Sequence, residues 1–255
     1  MRFVVIMDPP STVKVDGDTS FALMEEAESR GHRVDHCLNT DLYLDGGRLY
    51  ARVAQAHMSR DRREAPITLA HAEDVCLHEV DAIWVRTDPP FDDNYLWCTL
   101  MLDRVKADTL VVNDPHGLRT ANEKLYATHF PELMPETIVT AHKERIRAFI
   151  TKVGGRAVLK PLGGMGGAGV FVLADGDPNV NPIIEAVTLE GKRPAMAQVF
   201  LPEVKSAGDK RILVLDGEPL GAILRRPAGE EVRSNLRVGG TAVQTGVTPA
   251  ERKII

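Results

Sequence analysis

The segment Gly163-Gly164-Met165-Gly166-Gly167-Ala168-Gly169 holds five glycines and follows directly on Val158-Leu159-Lys160-Pro161-Leu162. With so few β-carbons in the way, consecutive backbone N–H groups can turn toward one anion, which is how a phosphate is cradled. No Gly-Lys-Ser/Thr closes the segment, so it is not a Walker A loop. A strand rather than a helix is predicted to follow it, which counts against a dinucleotide fingerprint. A glycine hairpin that holds no ligand is the alternative. Lys160 ends an apolar strand, where the chain has no structural need for a cation. Beside the glycines it is placed to neutralise phosphate oxygens, although an ordinary strand-end surface charge looks the same. Lys124, in Asn122-Glu123-Lys124-Leu125, reads from its neighbours alone as an exposed helix residue.

The patterning that must position these residues divides the chain in two. Residues 2–7 form a branched apolar run, and residues 19–30 carry Phe21, Leu23, Met24 and Ala27 at helical spacing up to Gly31. Residues 33–38 read as a second strand. A strand-helix-strand unit implies a parallel sheet. Short apolar runs at 42–44 and 49–51 flank Asp45-Gly46-Gly47, a hairpin signal. Residues 81–86, a helix near 94–106 and residues 109–113 repeat the strand-helix-strand pattern. This first domain closes near residue 115 and is assigned residues 1–120, an α/β fold.

From residue 121 to 255 the composition changes. After a helix near 120–130, strands at 156–161 and 170–173 bracket the glycines. Strands at 210–215 and 220–224 are joined through Asp216-Gly217, with helical patterns at 143–152 and near 181–189. That layout is α+β. Thr248-Pro249-Ala250-Glu251 has a capping hydroxyl, a proline in the first turn and a glutamate three residues on, a helix start. Only four residues follow, fewer than a helix needs to persist. The expectation is a sequence truncated at its C-terminal end.

Bulk properties narrow the function classes. A chain of 255 residues, 44% hydrophobic, can build one large core or two ordinary ones. Its apolar runs, such as residues 82–85 and 109–112, are strand-sized and far short of the roughly 20 residues that cross a membrane. Asp8 and two prolines interrupt the N-terminus before a secretory signal can form, so a cytoplasmic address is expected. A net charge of −5 argues against a nucleic-acid footprint, and Arg60, Arg62 and Arg63 are interleaved with Asp61 and Glu64 as in a solvated loop. Cys37, Cys76 and Cys98 lie far apart, unlike zinc ligands, and read as small buried hydrophobes.

Four motifs then fall in one order: Asn122-Glu123-Lys124-Leu125, Leu159-Lys160-Pro161 with its glycines, Gln198-Val199-Phe200-Leu201-Pro202, and Gly208-Asp209-Lys210-Arg211-Ile212. In order and spacing they resemble the ATP-grasp ligases. Upstream, Met7-Asp8-Pro9, Asp18-Thr19-Ser20-Phe21-Ala22 and the restrictive Arg86-Thr87-Asp88-Pro89-Pro90-Phe91-Asp92 look like the N-terminal domain of the prokaryotic glutathione synthetase family. Downstream, Arg233-Ser234-Asn235-Leu236 and Gly239-Gly240 look like that family's mobile active-site loop. The resemblance runs from residue 1 to 255.

It implies an N-terminal α/β domain of pre-ATP-grasp type followed by an α+β ATP-grasp domain that is incomplete at its C-terminal end. The implied reaction is ligation of gamma-glutamylcysteine to glycine through an acyl phosphate, with ATP and Mg2+, Mn2+ being an alternative ion. By the same resemblance Lys124 and Lys160 grip the nucleotide phosphates under Gly163, Gly164, Met165, Gly166 and Gly167. Gln198, Val199, Phe200 and Leu201 meet the adenine edge, and Asp209 lies near the sugar. Arg211 and Arg225 face the transferred phosphate. Asp18, Ser20 and Arg86 hold the dipeptide, with Arg233 and Asn235 on a lid at 226–240. The family's metal ligands, an Asp and a Glu-x-Asn pair, are expected beyond Ile255, so no metal ligand is assigned within this chain. No nucleic-acid or membrane partner is implied, and a homo-oligomer is. The rival readings are another ATP-grasp carboxylate–amine ligase and a noncatalytic nucleotide-binding module.

Overall fold

The structure, a computed structural model, describes residues 1–228 and 239–255. The chain forms two compact units, Met1–Tyr126 and Ala127–Ile255.

In the first unit, β1 (Arg2–Ile6), α1 (Thr19–Ser29), β2 (Arg33–Cys37), β3 (Leu42–Asp45), β4 (Arg48–Met58) and β5 (Ile67–Cys76) are followed by β6 (Ala82–Val85), α2 (Asp93–Leu102), β7 (Leu110–Val112) and α3 (Pro115–Thr120). β1 pairs in parallel with β2 on one side and β6 on the other, and β7 extends the parallel set beyond β6. Antiparallel β4 adds itself to β2 and carries β3 and β5. The sheet is therefore a parallel core with an antiparallel extension, larger than the patterning indicates, because β5 is a largely exposed strand ordered by pairing with β4.

Val4, Val5 and Ile6 are fully buried, as a strand covered on both faces requires. Alternation sends Val4 and Ile6 toward Tyr95, Cys98 and Leu102 of α2, and Val5 toward Phe21 and Met24 of α1. At the amino ends of these strands the fully buried Asp35 accepts from Arg2 Nε at 2.6 Å and Arg33 Nε at 3.0 Å, while Glu73 bonds both guanidinium groups. Removing one partner of such a buried charge leaves the rest unpaired, so this cluster closes that end of the sheet. Cys37 and Cys98 are buried hydrophobes as expected, and Cys76 is half-buried. Burial pushes the Cys98 thiol up to about 12.

The second unit begins with β8 (Thr137–Thr140), α4 (Lys143–Lys152), β9 (Arg156–Pro161), β10 (Phe171–Ala174), α5 (Val180–Thr188) and β11 (Ala195–Val199). These four strands make an antiparallel sheet in the order β10-β9-β11-β8. Ala157, Leu159, Leu173, Ala195 and Ala197 pack against Ile146, Phe149 and Ile150 of α4 and Val180 and Ile184 of α5. After α6 (Glu203–Ala207), strands β12 (Asp209–Leu215), β13 (Glu218–Arg226) and β14 (Thr241–Thr245) form a second antiparallel sheet. The Asp216-Gly217 turn, with φ of 49° and 79°, makes the β12–β13 hairpin as its sequence indicated.

The helix expected near 120–130 does not form as one. Asn122 Oδ1 accepts from the backbone N–H of Lys124 and of Leu125, both at 3.0 Å, which holds a turn in place of a helix. Short 3-10 turns at Tyr126–His129 and Pro131–Leu133 follow.

At the other end the expected capping box is present. It starts α7 (Pro249–Arg252): Glu251 N donates to Thr248 Oγ1 at 3.2 Å, and Thr248 N donates to Glu251 Oε2 at 2.7 Å. The Lys210 ammonium, then the Thr248 amide, hold the Glu251 carboxyl below its ordinary 4.5, at about 2. A folded-state value below the unfolded one means that this contribution is complete above pH 4.5 and lost as pH falls toward 2. The Glu251 side-chain carbonyl resonance is expected at its ionised position at pH 4; a midpoint near 4.5 would mean that α7 is not held to β12.

Candidate functional site

Strand alternation decides what surrounds Lys160. Leu159 and Ala197 face the helices, so Val158, Lys160, Met196, Gln198, Thr137 and Val139 must face the other way. Lys160 stands opposite Met196, and Gln198 is two residues further along the same strand, a diagonal neighbour on one face. Lys160 Nζ donates to Gln198 Oε1 at 2.5 Å, and Gln198 Nε2 donates to Thr137 Oγ1 at 2.9 Å. The Thr137 hydroxyl in turn donates to Pro135 O at 2.6 Å. A buried amide thus fixes a half-buried ammonium, and the row crosses β9, β11 and β8. The sequence motifs mark Gln198 but not Thr137 or Met196, because the patterning marks neither β8 nor β11 as a strand.

The glycine segment joins β9 to β10, and a strand follows it as expected. Gly166, Gly167 and Gly169 have φ of 64°, 84° and 69°, where a side chain is strained. Gly169 also lies against Pro161, whose Cγ is 3.0 Å from where a β-carbon would sit. Part of the loop bonds to itself, Ala168 N donating to Met165 O at 3.1 Å. Gly163 differs, with no positive φ and open space where its β-carbon would be.

β11 leads into Phe200 and the exposed Leu201. Val199 N donates to Glu136 O at 3.0 Å, and the Arg156 guanidinium lies 4.4 Å from the centre of the Phe200 ring. On the second sheet Asp209 and Arg225 are directly opposed across β12 and β13. Arg225 Nε and Nη2 donate to the two Asp209 oxygens at 2.8 and 2.6 Å, a bidentate pair that raises the Arg225 pKa. The two residues, given separate roles in the sequence, form one unit here. Arg211 follows Asp209 by two positions, so it shares that face; it is exposed and makes no ion pair among the described residues. Gly208, with φ of 87°, turns α6 into β12 where a β-carbon would meet Arg225 O at 2.3 Å.

In the first unit the candidate dipeptide residues gather at the carboxyl ends of β1 and β6, where parallel sheets hold ligands. Arg86 N donates to Ile6 O at 2.7 Å, and Arg86 Nε donates to Ser20 Oγ at 3.0 Å. Asp18 caps α1, its Oδ1 accepting from Phe21 N at 2.9 Å. Asp8 Oδ2 accepts from Asp88 N at 2.9 Å, and His36 Nε2 lies 3.3 Å from Asp8 O. Burial lowers the His36 pKa, so the ring is neutral and its Nε2–H donates. Lys124 belongs to this unit, is largely buried, and donates to Glu123 at 2.6 Å. Arg233, Asn235 and most of the expected lid, residues 229–238, lie outside the described residues. Among the described residues no three His, Cys, Asp or Glu side chains form a metal-ligating group. They offer no set of donors that fits the divalent ion.

This fold is that of the ATP-grasp ligases. D-cycloserine synthetase DcsG matches with a TM-score of 0.68 at 16% identity, over 100% of this chain and 78% of that one. A RimK-domain ATP-grasp protein of Sphaerobacter thermophilus matches with 0.57 at 20% identity, over 98% and 87%. Among sequences, the glutathione synthetase of Brucella melitensis is 44% identical over 100% of this chain and 80% of its own length, and that of Gloeobacter violaceus 45% over 100% and 79%. The N-terminal domain model of prokaryotic glutathione synthetase matches residues 1–119, and the ATP-grasp domain model matches residues 123–255. The chain belongs to the prokaryotic glutathione synthetase family.

The glycines separate fold from ligand contact. Gly169→Ala is expected to lose about 1 kcal/mol or more of stability, read by urea unfolding. Gly163→Ala is expected to melt as the parent does and to bind ATP roughly tenfold more weakly, one added methyl in a filled site costing on the order of 1–3 kcal/mol. Unchanged ATP affinity in Gly163→Ala would remove this segment from the phosphate site.

Proposed function

We propose that the protein ligates gamma-glutamylcysteine to glycine at the expense of ATP, with magnesium as the divalent ion, in the cytoplasm and as a homo-oligomer. A carboxylate does not react with an amine at neutral pH, because oxide is a hopeless leaving group. The dipeptide carboxylate oxygen therefore bonds to the γ-phosphorus as the bond to ADP breaks, giving an acyl phosphate. The glycine nitrogen then bonds to the acyl carbon, phosphate departs with the C–O electron pair, and the amine gives up its proton.

Little covalent chemistry falls to the protein. Its tasks are position and charge. Lys160, held by Gln198, supplies a fixed positive charge to the phosphates, and Gly163–Gly167 supplies backbone N–H groups beside it. Lys124 is given the same role on its motif, and Arg211 and Arg225 the task of meeting the transferred phosphate. Arg225 can do so only while sharing its charge with Asp209, so Asp209 is as much its anchor as a sugar contact. Val199, Phe200 and Leu201 meet the adenine edge, and Asp18, Ser20 and Arg86 hold the dipeptide. Arg233 and Asn235 act from the lid that keeps water from the acyl phosphate.

The observation that carries this reading is the family membership over both domains, joined to a buried amide that locks a lysine beside a glycine loop. ADP release is expected with gamma-glutamylcysteine and glycine together. In Lys160→Met the rate is expected to fall about a hundredfold, near 3 kcal/mol in the transition state, with weaker ATP binding. Activity with D-alanine and none with gamma-glutamylcysteine would overturn the substrate assignment; full activity in Lys160→Met would overturn the role of the lysine.

A further inference from the structure

The carboxyl ends of β1 and β6 carry two opposite charges that do not neutralise each other. Ile6 stands opposite Val85 in the parallel pair, so Asp8, two residues beyond Ile6, and Arg86, one beyond Val85, emerge side by side. Yet among the described residues neither Asp8 nor Arg86 makes an ion pair with anything. Arg86 spends its Nε on Ser20, which leaves its two terminal nitrogens for a ligand. Asp8 accepts the Asp88 amide with Oδ2 alone, which leaves Oδ1.

Both groups are fixed from behind. The His36 imidazole donates to the Asp8 carbonyl, the Arg86 amide donates to Ile6, and Ser20, itself buried, sits in the first turn of α1. Tyr95 of α2, in the core cluster that holds Ile6 and Val85, is buried beneath this strand end. A cation and an anion held apart at one strand end, each with unused capacity, are complementary to a molecule that bears both charges on neighbouring atoms.

We infer that Asp8 and Arg86 form a subsite for an α-amino-acid head group, Asp8 taking the ammonium and Arg86 the α-carboxylate. The inference rests on the ligase reading: the only such head group in gamma-glutamylcysteine is that of its glutamyl residue, whose amino group is free because the peptide bond runs through the side chain. An ordinary α-linked dipeptide carries its ammonium and its carboxylate at opposite ends and cannot satisfy both residues at once. Selection for the gamma linkage follows from this pair alone. The subsite gives a role to Asp8, which stood in the Met7-Asp8-Pro9 motif without one, and gives Arg86 a defined partner atom.

Calorimetric titration with three ligands reads the pairing: gamma-glutamylcysteine, glutaryl-cysteine, which lacks the ammonium, and 4-aminobutyryl-cysteine, which lacks the α-carboxylate. Asp8→Asn is expected to weaken gamma-glutamylcysteine roughly ten- to a hundredfold, the range for a hydrogen bond to a charged group, and to leave glutaryl-cysteine unchanged. Arg86→Gln is expected to show the converse, weakening gamma-glutamylcysteine and sparing 4-aminobutyryl-cysteine. ATP affinity, expected to hold in both variants, reports that the fold survives. Equal losses for all three ligands, or none, with normal binding by the parent would overturn the subsite and leave the ligase reading intact. Failure of the parent to bind gamma-glutamylcysteine would overturn both.

Discussion

The hydrogen bond between Lys160 and Gln198 depends on a simple constraint: side chains along a strand alternate between two faces. Leu159 and Ala197 are taken by the core under α4 and α5, so their neighbours are forced onto the opposite face. There an ammonium and an amide find each other diagonally across two strands, and Thr137 on a third strand holds the amide in turn. A register slip of one residue on β9 would send Lys160 into the helices and bring Leu159 out. The apolar core and the polar row are thus two consequences of one register, and the glycine loop at the end of β9 inherits its position from it.

The first unit uses the two ends of a parallel sheet differently. At the amino ends, charges are satisfied among themselves: Asp35 is buried between Arg2 and Arg33, and Glu73 serves both. At the carboxyl ends, the side chains of Asp8, Ser20 and Arg86 are tied to backbone or to each other by one bond apiece and retain further donors and acceptors. A closed end adds to stability and an open end is available to a ligand. The second sheet of the ATP-grasp unit shows a middle case, since Arg225 gives Nε and Nη2 to Asp209 while Arg211 beside it is exposed.

Much of the architecture was legible where local chemistry and tertiary demand agree. The valine-rich run of β1, the helical spacing of Phe21, Met24 and Ala27, the Asp-Gly turns and the Thr248 capping box all specify their structures from within a few residues. β5 was not legible, because Ile67 to Cys76 carries His71, Glu73 and Asp74 on a largely exposed strand and gains its order only by pairing with β4. The helix expected near 120–130 failed because Asn122 competes for backbone N–H groups, a side-chain effect that apolar periodicity does not report. Of the candidate site, Lys160 and Gln198 were marked separately by motif, but their contact is a property of register. Asp8 stood inside a quoted motif without a role, since its significance comes from Arg86, far away in sequence, emerging on the neighbouring strand.

The most direct test of the phosphate site uses an acyl-phosphate derivative of ATP, which transfers its acyl group to lysines that contact the phosphates. After digestion, mass spectrometry is expected to find the label on Lys160 and Lys124, and excess ATP is expected to suppress it. Label confined to lysines such as Lys143, Lys152 or Lys192, with none on Lys160, would contradict the assignment of this sheet face to the nucleotide.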